Sequence, residues 1–329
     1  MSIIVPLARK FFKDFFVREN LVARGGWDRF LTVIFTVLFV VVAVSCGAGK
    51  DSGTDLLPDD DIPGSVDTPP GSGTTTPGSG TPDAEWYKPK TLTTWQIQLQ
   101  GEINTSFDVA VYDVDLFDTP DAVIKLLHSK GRKVICYFSA GTYEDWRDDA
   151  PRFKSAELGS PLDEWPGERW LDVRSSNVLD IMKARMDIAA ARGCDGVDPD
   201  NMDGYTNNSG FPLTAGDQEF YNKAIAEAAH ERKLAVGLKN DLDQIEALVP
   251  YFDFAVNEQC HQYNECELLA PFIAAKKPVF NIEYGREYQS PQGFKQLCQD
   301  AAQRGFRTLV FSLALDGSLR QSCDGDLLR

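Results

Sequence analysis

Histidine is scarce in this chain: His128, His230 and His261 are the only three in 329 residues. His128 and His230 fall in helix-like stretches, no HExxH occurs, and no cysteine–histidine spacing suits zinc. No GxGxxG follows the first strand-like run and no Walker loop is present, so nucleotide binding has no support. No GxSxG elbow offers a serine nucleophile. Positive charge is short as well, with 33 Lys and Arg against 49 Asp and Glu, a net −16. A nucleic-acid partner normally calls for a basic face and is disfavoured. An acidic protein attracts cationic ligands, although acidity also serves plain solubility. The sequence therefore calls for no cofactor and no metal, and its oligomeric expectation is a monomer.

What is present begins with a basic stretch, Arg9, Lys10, Lys13, Arg18, Arg24 and Arg29, followed by an apolar run from Phe30 to Val44. The run is shorter than the ~20 residues of a full membrane span and suits a signal-peptide core. Ala43-Val44-Ser45-Cys46-Gly47 resembles a bacterial lipobox, which would make Cys46 a lipidation site; an uncleaved anchor is the rival reading. Either one puts the rest of the chain outside the cytoplasm, tethered to the membrane at the cell envelope or surface. Residues 47–85, with TPPGSGTTTPGSGTP, hold too little apolar surface to offset their ordering entropy and read as a flexible linker. Residues 1–46 are thus an address, 47–85 a tether and 86–329 the folded domain. Outside the cytosol the six remaining cysteines can pair. Cys260 and Cys266, flanking a loop-like HQYNE, are the first choice, and Cys298 with Cys323 the second. Cys136 and Cys194, in apolar strand-like runs, read as buried thiols.

From Trp95 short apolar runs alternate with helical patterns. The strand candidates are TWQIQL, VAVYDVD, KVICYFS, RWLDVR, CDGVDPD, LAVGLKN, FDFAVNE, KPVFNIEY and TLVFSLAL. Helices are expected over 121–129, 177–191, 217–232, 241–248, 265–275 and 291–304, with Ser290 capping the last and Gly131 and Gly305 closing two of them. Apolar strands separated by helices predict a parallel sheet covered by helices, and the length matches a (β/α)8-type TIM barrel. Nine candidates exceed eight by one, so RWLDVR is an irregular or extra strand. An open doubly wound sheet is the alternative.

Polar residues gather at the ends of these strands: Asp113 and Asp115; Asp198, Asp200 and Asn201; Lys239 and Asn240; Glu258; Glu283 and Tyr284. One acid at a strand end is most often a cap or an ion-pair partner. Five strands ending this way are harder to dismiss, because the C-terminal ends of barrel strands meet on one face. Carboxylates that converge shift one another's protonation, and two of them flanking a sugar bond make a glycosidase. Aromatic residues near the same ends, Tyr137, Trp146, Trp165 and Tyr205 among them, could stack on sugar faces, although buried aromatics are usually core. Cys260 beside His261 is better explained by a disulfide than by a thiol nucleophile.

Several runs taken together resemble glycoside hydrolase family 114, the endo-α-1,4-polygalactosaminidases. They are YDVD from Tyr112, CYFSAGTYEDWR from Cys136, WLDVR from Trp170, GVDPDNMDGY from Gly196, GLKN from Gly237, VNEQC from Val256 and IEYG from Ile282. The resemblance implies a barrel that cleaves α-1,4-linked galactosamine polymers such as partly deacetylated exopolysaccharide of biofilms. It implies that Asp200 and Glu258 are catalytic, with Asp198 in reserve. Asp113, Asp115, Tyr137, Asp198, Asn201, Tyr205, Lys239, Asn240, Glu283 and Tyr284 would contact substrate. The alternatives are a non-catalytic polysaccharide-binding lipoprotein on the same barrel and a hydrolase of another α-linked sugar.

Overall fold

The structure is a computed structural model and describes residues 85–324. The expected signal or anchor segment, Cys46 and all but the last residue of the linker lie outside the described residues. The chain runs β1 (Trp95–Gln98), β2 (Val111–Asp115), α1 (Asp121–Ser129) and β3 (Lys133–Ser139). An insertion follows with β4 (Thr142–Glu144), β5 (Leu158–Pro161) and β6 (Glu168–Leu171). Then come α2 (Ser176–Arg192), β7 (Gly196–Asp200), α3 (Ala215–Glu231), β8 (Ala235–Lys239), α4 (Ile245–Leu248) and β9 (Phe254–Glu258). The described part ends with α5 (Ala270–Ala274), β10 (Val279–Glu283), α6 (Pro291–Arg304), β11 (Arg307–Phe311) and β12 (Arg320–Ser322).

Nine strands form one sheet in the order β1-β2-β3-β7-β8-β9-β10-β11-β12. The first eight run parallel, and β12 lies antiparallel on β11. The sheet is strongly curled and TIM-like. The Trp95 indole N–H in β1 donates to the carbonyl of Arg307 in β11 at 2.9 Å, and the Leu99 N–H donates to the Leu315 carbonyl at 3.0 Å. RWLDVR is not a strand of this sheet. It forms β6, the middle of a separate three-stranded antiparallel sheet with β4 and β5. Its alternating polar residues explain this, since strands covered on both faces need apolar side chains throughout.

Side-chain parity along the strands builds two cores. One set, with Trp95, Val111, Ile135, Ala235, Phe254, Val256, Phe280, Ile282 and Leu309, packs inside the curl. The other, with Tyr112, Val114, Cys136, Phe138, Val197, Val236 and Leu238, meets the helices. Gly237 is required inside, because a Cβ there would lie 2.4 Å from the Phe254 ring. On the helix side α2 buries Val178, Ile181, Met182, Arg185, Met186 and Ala189, the i, i+3, i+4 spacing of one face. Helix α3 opens on a capping box between Thr214 and Asp217, and α6 on Ser290, whose oxygen accepts from the Gly293 N–H. Two expected helices are shorter than their patterns. Residues 242–244 and 266–269 are 3₁₀ turns that lead into α4 and α5.

Three disulfides lock the domain, Cys136–Cys194, Cys260–Cys266 and Cys298–Cys323. The first corrects the reading of two buried thiols: Cys136 points to the helix side of β3, where Cys194, at the foot of β7, reaches it. Three disulfides point to an oxidising compartment outside the cytosol.

Candidate active site

Parity also selects which polar residues meet. Asp113, Tyr137, Asp198, Asp200, Lys239, Glu258 and Tyr284 share the phase of the inner apolar residues. They stand at or near the C-terminal ends of β2, β3, β7, β8, β9 and β10. Lys239 Nζ, on a side chain 6% exposed, lies 3.0 Å from Asp200 Oδ1 and 3.4 Å from Glu258 Oε2. A single ammonium therefore bridges the two partly exposed carboxylates. The Tyr137 hydroxyl donates to Asp200 Oδ2 at 2.9 Å, and the Asn201 N–H donates to Asp200 Oδ1 at 2.7 Å. The Tyr284 hydroxyl donates to Glu258 Oε1.

The electrostatics follow from these contacts. Burial pushes the Asp200 carboxyl up, but the charge of Lys239 and the hydrogen bonds from Lys239, Asn201 and Tyr137 outweigh it. The group is held below the usual carboxylate range. Burial alone would favour neutral Lys239, yet Asp200, Glu258 and Asp198 raise it and keep it charged. Tyr137 and Tyr284 are raised by burial and by the acids they serve, so both remain hydrogen-bond donors.

The backbone turns sharply just after β7, β8 and β9. Asn201, Asn240 and Gln259 all take left-handed φ, at 60°, 49° and 63°. That conformation is tolerated best by Asn among side-chain-bearing residues and costs about 1 kcal/mol or more otherwise. The first two turns place site contacts. Asn201 Nδ2 donates to Ser139 Oγ and Thr142 Oγ1, while Asn240 Oδ1 accepts the Glu258 N–H at 2.9 Å. Gly141 lies so close to Asn201 that a Cβ would meet its carbonyl oxygen at 1.7 Å.

Beneath Asp200, on the same strand face, Asp198 is fully buried and faces Asp113. Burial first, then the neighbouring carboxyl, lifts Asp113 well above the usual range. Burial lifts Asp198 to about 7.

Other expected site residues stand elsewhere. Glu283 has the opposite parity. It is fully buried on the helix side, its Oε1 accepting from the His261 N–H at 2.9 Å and from Asn281 Nδ2, and burial pushes it to about 7. It braces the loop after β9 instead of facing the inner set. Asp115 is engaged by Arg147 at 2.7 Å and accepts the N–H groups of Phe117 and Asp118. That network continues through Glu144 to Arg185 and Asp149. Tyr205 pairs with Asp241, beyond Asn240, where burial and the charge of Asp203 push the Asp241 carboxyl to about 8.

One acid near Asp200 went unnoticed in the sequence. Glu168, the first residue of β6, accepts the Thr142 hydroxyl at 2.7 Å and feels the charges of Glu144 and Asp200. Burial chiefly drives its carboxyl to about 7. The small inserted sheet brings it there, and no parallel-strand pattern marks it. Trp146 and Trp165 on the same insertion stay 50% and 40% exposed, free to stack on a ligand.

Residues 76–327 match glycoside-hydrolase family GH114. Among solved structures the chain is similar to Aspergillus fumigatus Ega3, crystallised with galactosamine, at 42% identity. That match covers 74% of this chain and all of that one, with a TM-score of 0.69. It is similar in fold to the glycoside hydrolase domain of PelA from Pseudomonas aeruginosa, at 13% identity over 70% of this chain and 98% of that one, with a TM-score of 0.56. No curated protein matches it.

Proposed function

The chain belongs to glycoside hydrolase family GH114, and from that premise we propose that it is an endo-acting hydrolase of α-1,4-linked, galactosamine-containing polysaccharide. The observation that carries the catalytic half is the bridge of Lys239 between Asp200 and Glu258, with Tyr137 and Tyr284 donating to one acid each. Two carboxylates held this way can perform the two steps of a retaining glycosidase.

In the first step Glu258 acts as the acid, giving a proton to the glycosidic oxygen as that C–O bond breaks. Asp200, already ionised, forms an ester to the anomeric carbon. In the second, Glu258 takes a proton from water, the water oxygen bonds to the anomeric carbon, and the ester bond to Asp200 breaks. Retention is the course proposed, and the anomeric configuration of the first product released distinguishes it from inversion.

The substrate half rests on charge and on the relative crystallised with galactosamine. De-N-acetylated galactosamine is cationic near neutral pH. Asp200 and Glu258 face a single lysine in a chain of net −16, a setting that favours cationic sugars. We place the enzyme outside the cytoplasm, a monomer tethered through the segment that includes Cys46, and read the curled sheet as a (β/α)8 barrel.

The test is the release of reducing ends from partly deacetylated α-1,4-polygalactosamine. Asp200→Asn and Glu258→Gln remove charge with little change of shape. Each is expected to lower kcat by at least ~10²-fold. Full activity in either variant would remove that residue from its role. Binding without cleavage by the wild type would favour the non-catalytic polysaccharide binder.

A further inference from the structure

Two aspartates in the floor of the site have no ordinary explanation. Asp113 and Asp198 are 0% exposed, and none of their four oxygens receives a hydrogen bond from a donor group. Burial without a donor strongly disfavours the ionised form of a carboxyl group. The registry explains why they meet. Asp113 pairs with Ile135 of β3, and Ile135 pairs with Gly196 of β7, two residues before Asp198. In a curled parallel sheet inward residues of alternate strands share a layer, which brings Asp113 and Asp198 to one height on either side of β3. Their carboxyl groups stand within hydrogen-bonding reach of each other. Carboxylates only accept, so this contact is a hydrogen bond only when one of the two carries a proton.

We propose that Asp113 and Asp198 share one proton and act as a positioning pair, whose single remaining charge orients Lys239 from below while leaving Asp200 ionised. The charged and titratable groups around the pair are Lys239 on β8, Asp200 on β7 and Glu258 on β9. Tyr137, on β3 between the two aspartates, turns its hydroxyl to Asp200. With both carboxyls ionised, two buried negative charges would compete with Asp200 and Glu258 for one ammonium and would drive a proton onto Asp200. With none ionised, Lys239 would be held only from above. One proton balances the floor. The upward displacement of both aspartates agrees with this, burial being its main cause in each.

The positioning role rests on the two-carboxylate reading above; the shared proton does not, so the two are tested apart. Infrared difference spectra of the full chain at neutral pH resolve protonated carboxyls from carboxylates. Asp113→Asn and Asp198→Asn are each expected to remove one protonated-carboxyl band, and the same one, because the new amide supplies the donor to the remaining carboxylate. Bands unchanged in both variants would overturn the shared proton. The wild type labelled with ¹³C at aspartate needs no variant to fold: two widely separated, coupled titration steps are expected, and ordinary independent titration of both aspartates would overturn the pair.

For the positioning role, Asp113→Ala is expected to lower kcat on the order of tenfold with KM moved far less, and Asp113→Asn to recover most of that loss. Equal losses in both variants, or a loss confined to KM, would reduce the pair to a structural or binding element. A chain that cleaves no galactosamine polymer but shows the shared band would defeat the proposed function and leave the pair standing.

Discussion

Lys239 is the residue on which the site turns, because its charge acts on four carboxyl groups, Asp113, Asp198, Asp200 and Glu258. Among the influences that lower Asp200 against its burial, the charge of Lys239 is the largest. Replacing it by a neutral side chain of similar length should let the Asp200 carboxyl rise. A nucleophile must be ionised, so the pH at which activity is half lost on the acid side should rise with it. Lys239→Met is therefore expected to shift the acidic limb of the kcat/KM profile to higher pH, and to lower kcat/KM at neutral pH by ~10²-fold or more. An unmoved acidic limb would show that the lysine does not set the Asp200 charge state. The same residue shows what sequence patterns convey. Asp200, Lys239 and Glu258 stood out as polar endings of apolar strands. That Glu283 faces the helices could be read from its parity with Val279 and Asn281, which leave the inner phase to Phe280 and Ile282.

At the scale of elements, the three disulfides divide labour between stability and the site. Cys136–Cys194 closes 58 residues, Cys298–Cys323 closes 25 and Cys260–Cys266 only 6. Loop-closure entropy assigns them roughly 4, 3.5 and 2 kcal/mol in that order. The shortest one, however, shapes the turn that leaves Glu258, with Gln259 in left-handed conformation and Glu283 bracing His261 below it. Paired Cys→Ala replacement at 136 and 194 should therefore cost the most in denaturant midpoint. Replacement at 260 and 266 should cost the least stability and the larger share of kcat. Chemical denaturation and turnover on the same samples check both orders; equal loss of kcat from all three pairs would show that the short loop has no special hold on Glu258. The elements themselves were legible where local physics decided them: α1 and α6 follow their caps and apolar spacing to the residue. RWLDVR was harder, since a strand that pairs in a small antiparallel insertion carries the same β-forming residues as one in the main sheet. Glu168 was hidden for that reason. The bond between Cys136 and Cys194 depends on the pairing of β3 with β7, which no local run of residues reveals.

For the molecule as a whole, the buried acids set how stability varies with pH. Asp198, Glu168 and Glu283 are pushed to about 7 and Asp241 to about 8, each first of all by burial. In the unfolded chain such groups ionise near pH 4. Between those values the folded state holds more protons than the unfolded one, so raising the pH draws the equilibrium toward unfolding. His261 works in the opposite sense over a more acid window. Burial lowers it to about 4, so it stays neutral in the fold where the unfolded chain takes up a proton below about 6.5, and acidification destabilises. Asp200, Asp172, Asp217 and Asp316, all held low, add to that loss as the pH falls through their folded values. The two slopes meet near pH 4, above which the four raised acids outweigh the single histidine. The melting temperature is expected to peak at about that pH and to decline steadily toward pH 8. Asp241→Asn, which supplies a neutral side chain where the fold already prefers one, should flatten the alkaline part of that decline. Calorimetry from about pH 3 to about pH 9 checks both. A melting temperature that keeps rising through pH 8 would mean that these acids are ionised in the folded protein, each compensated by a cation or donor, and that burial does not govern them.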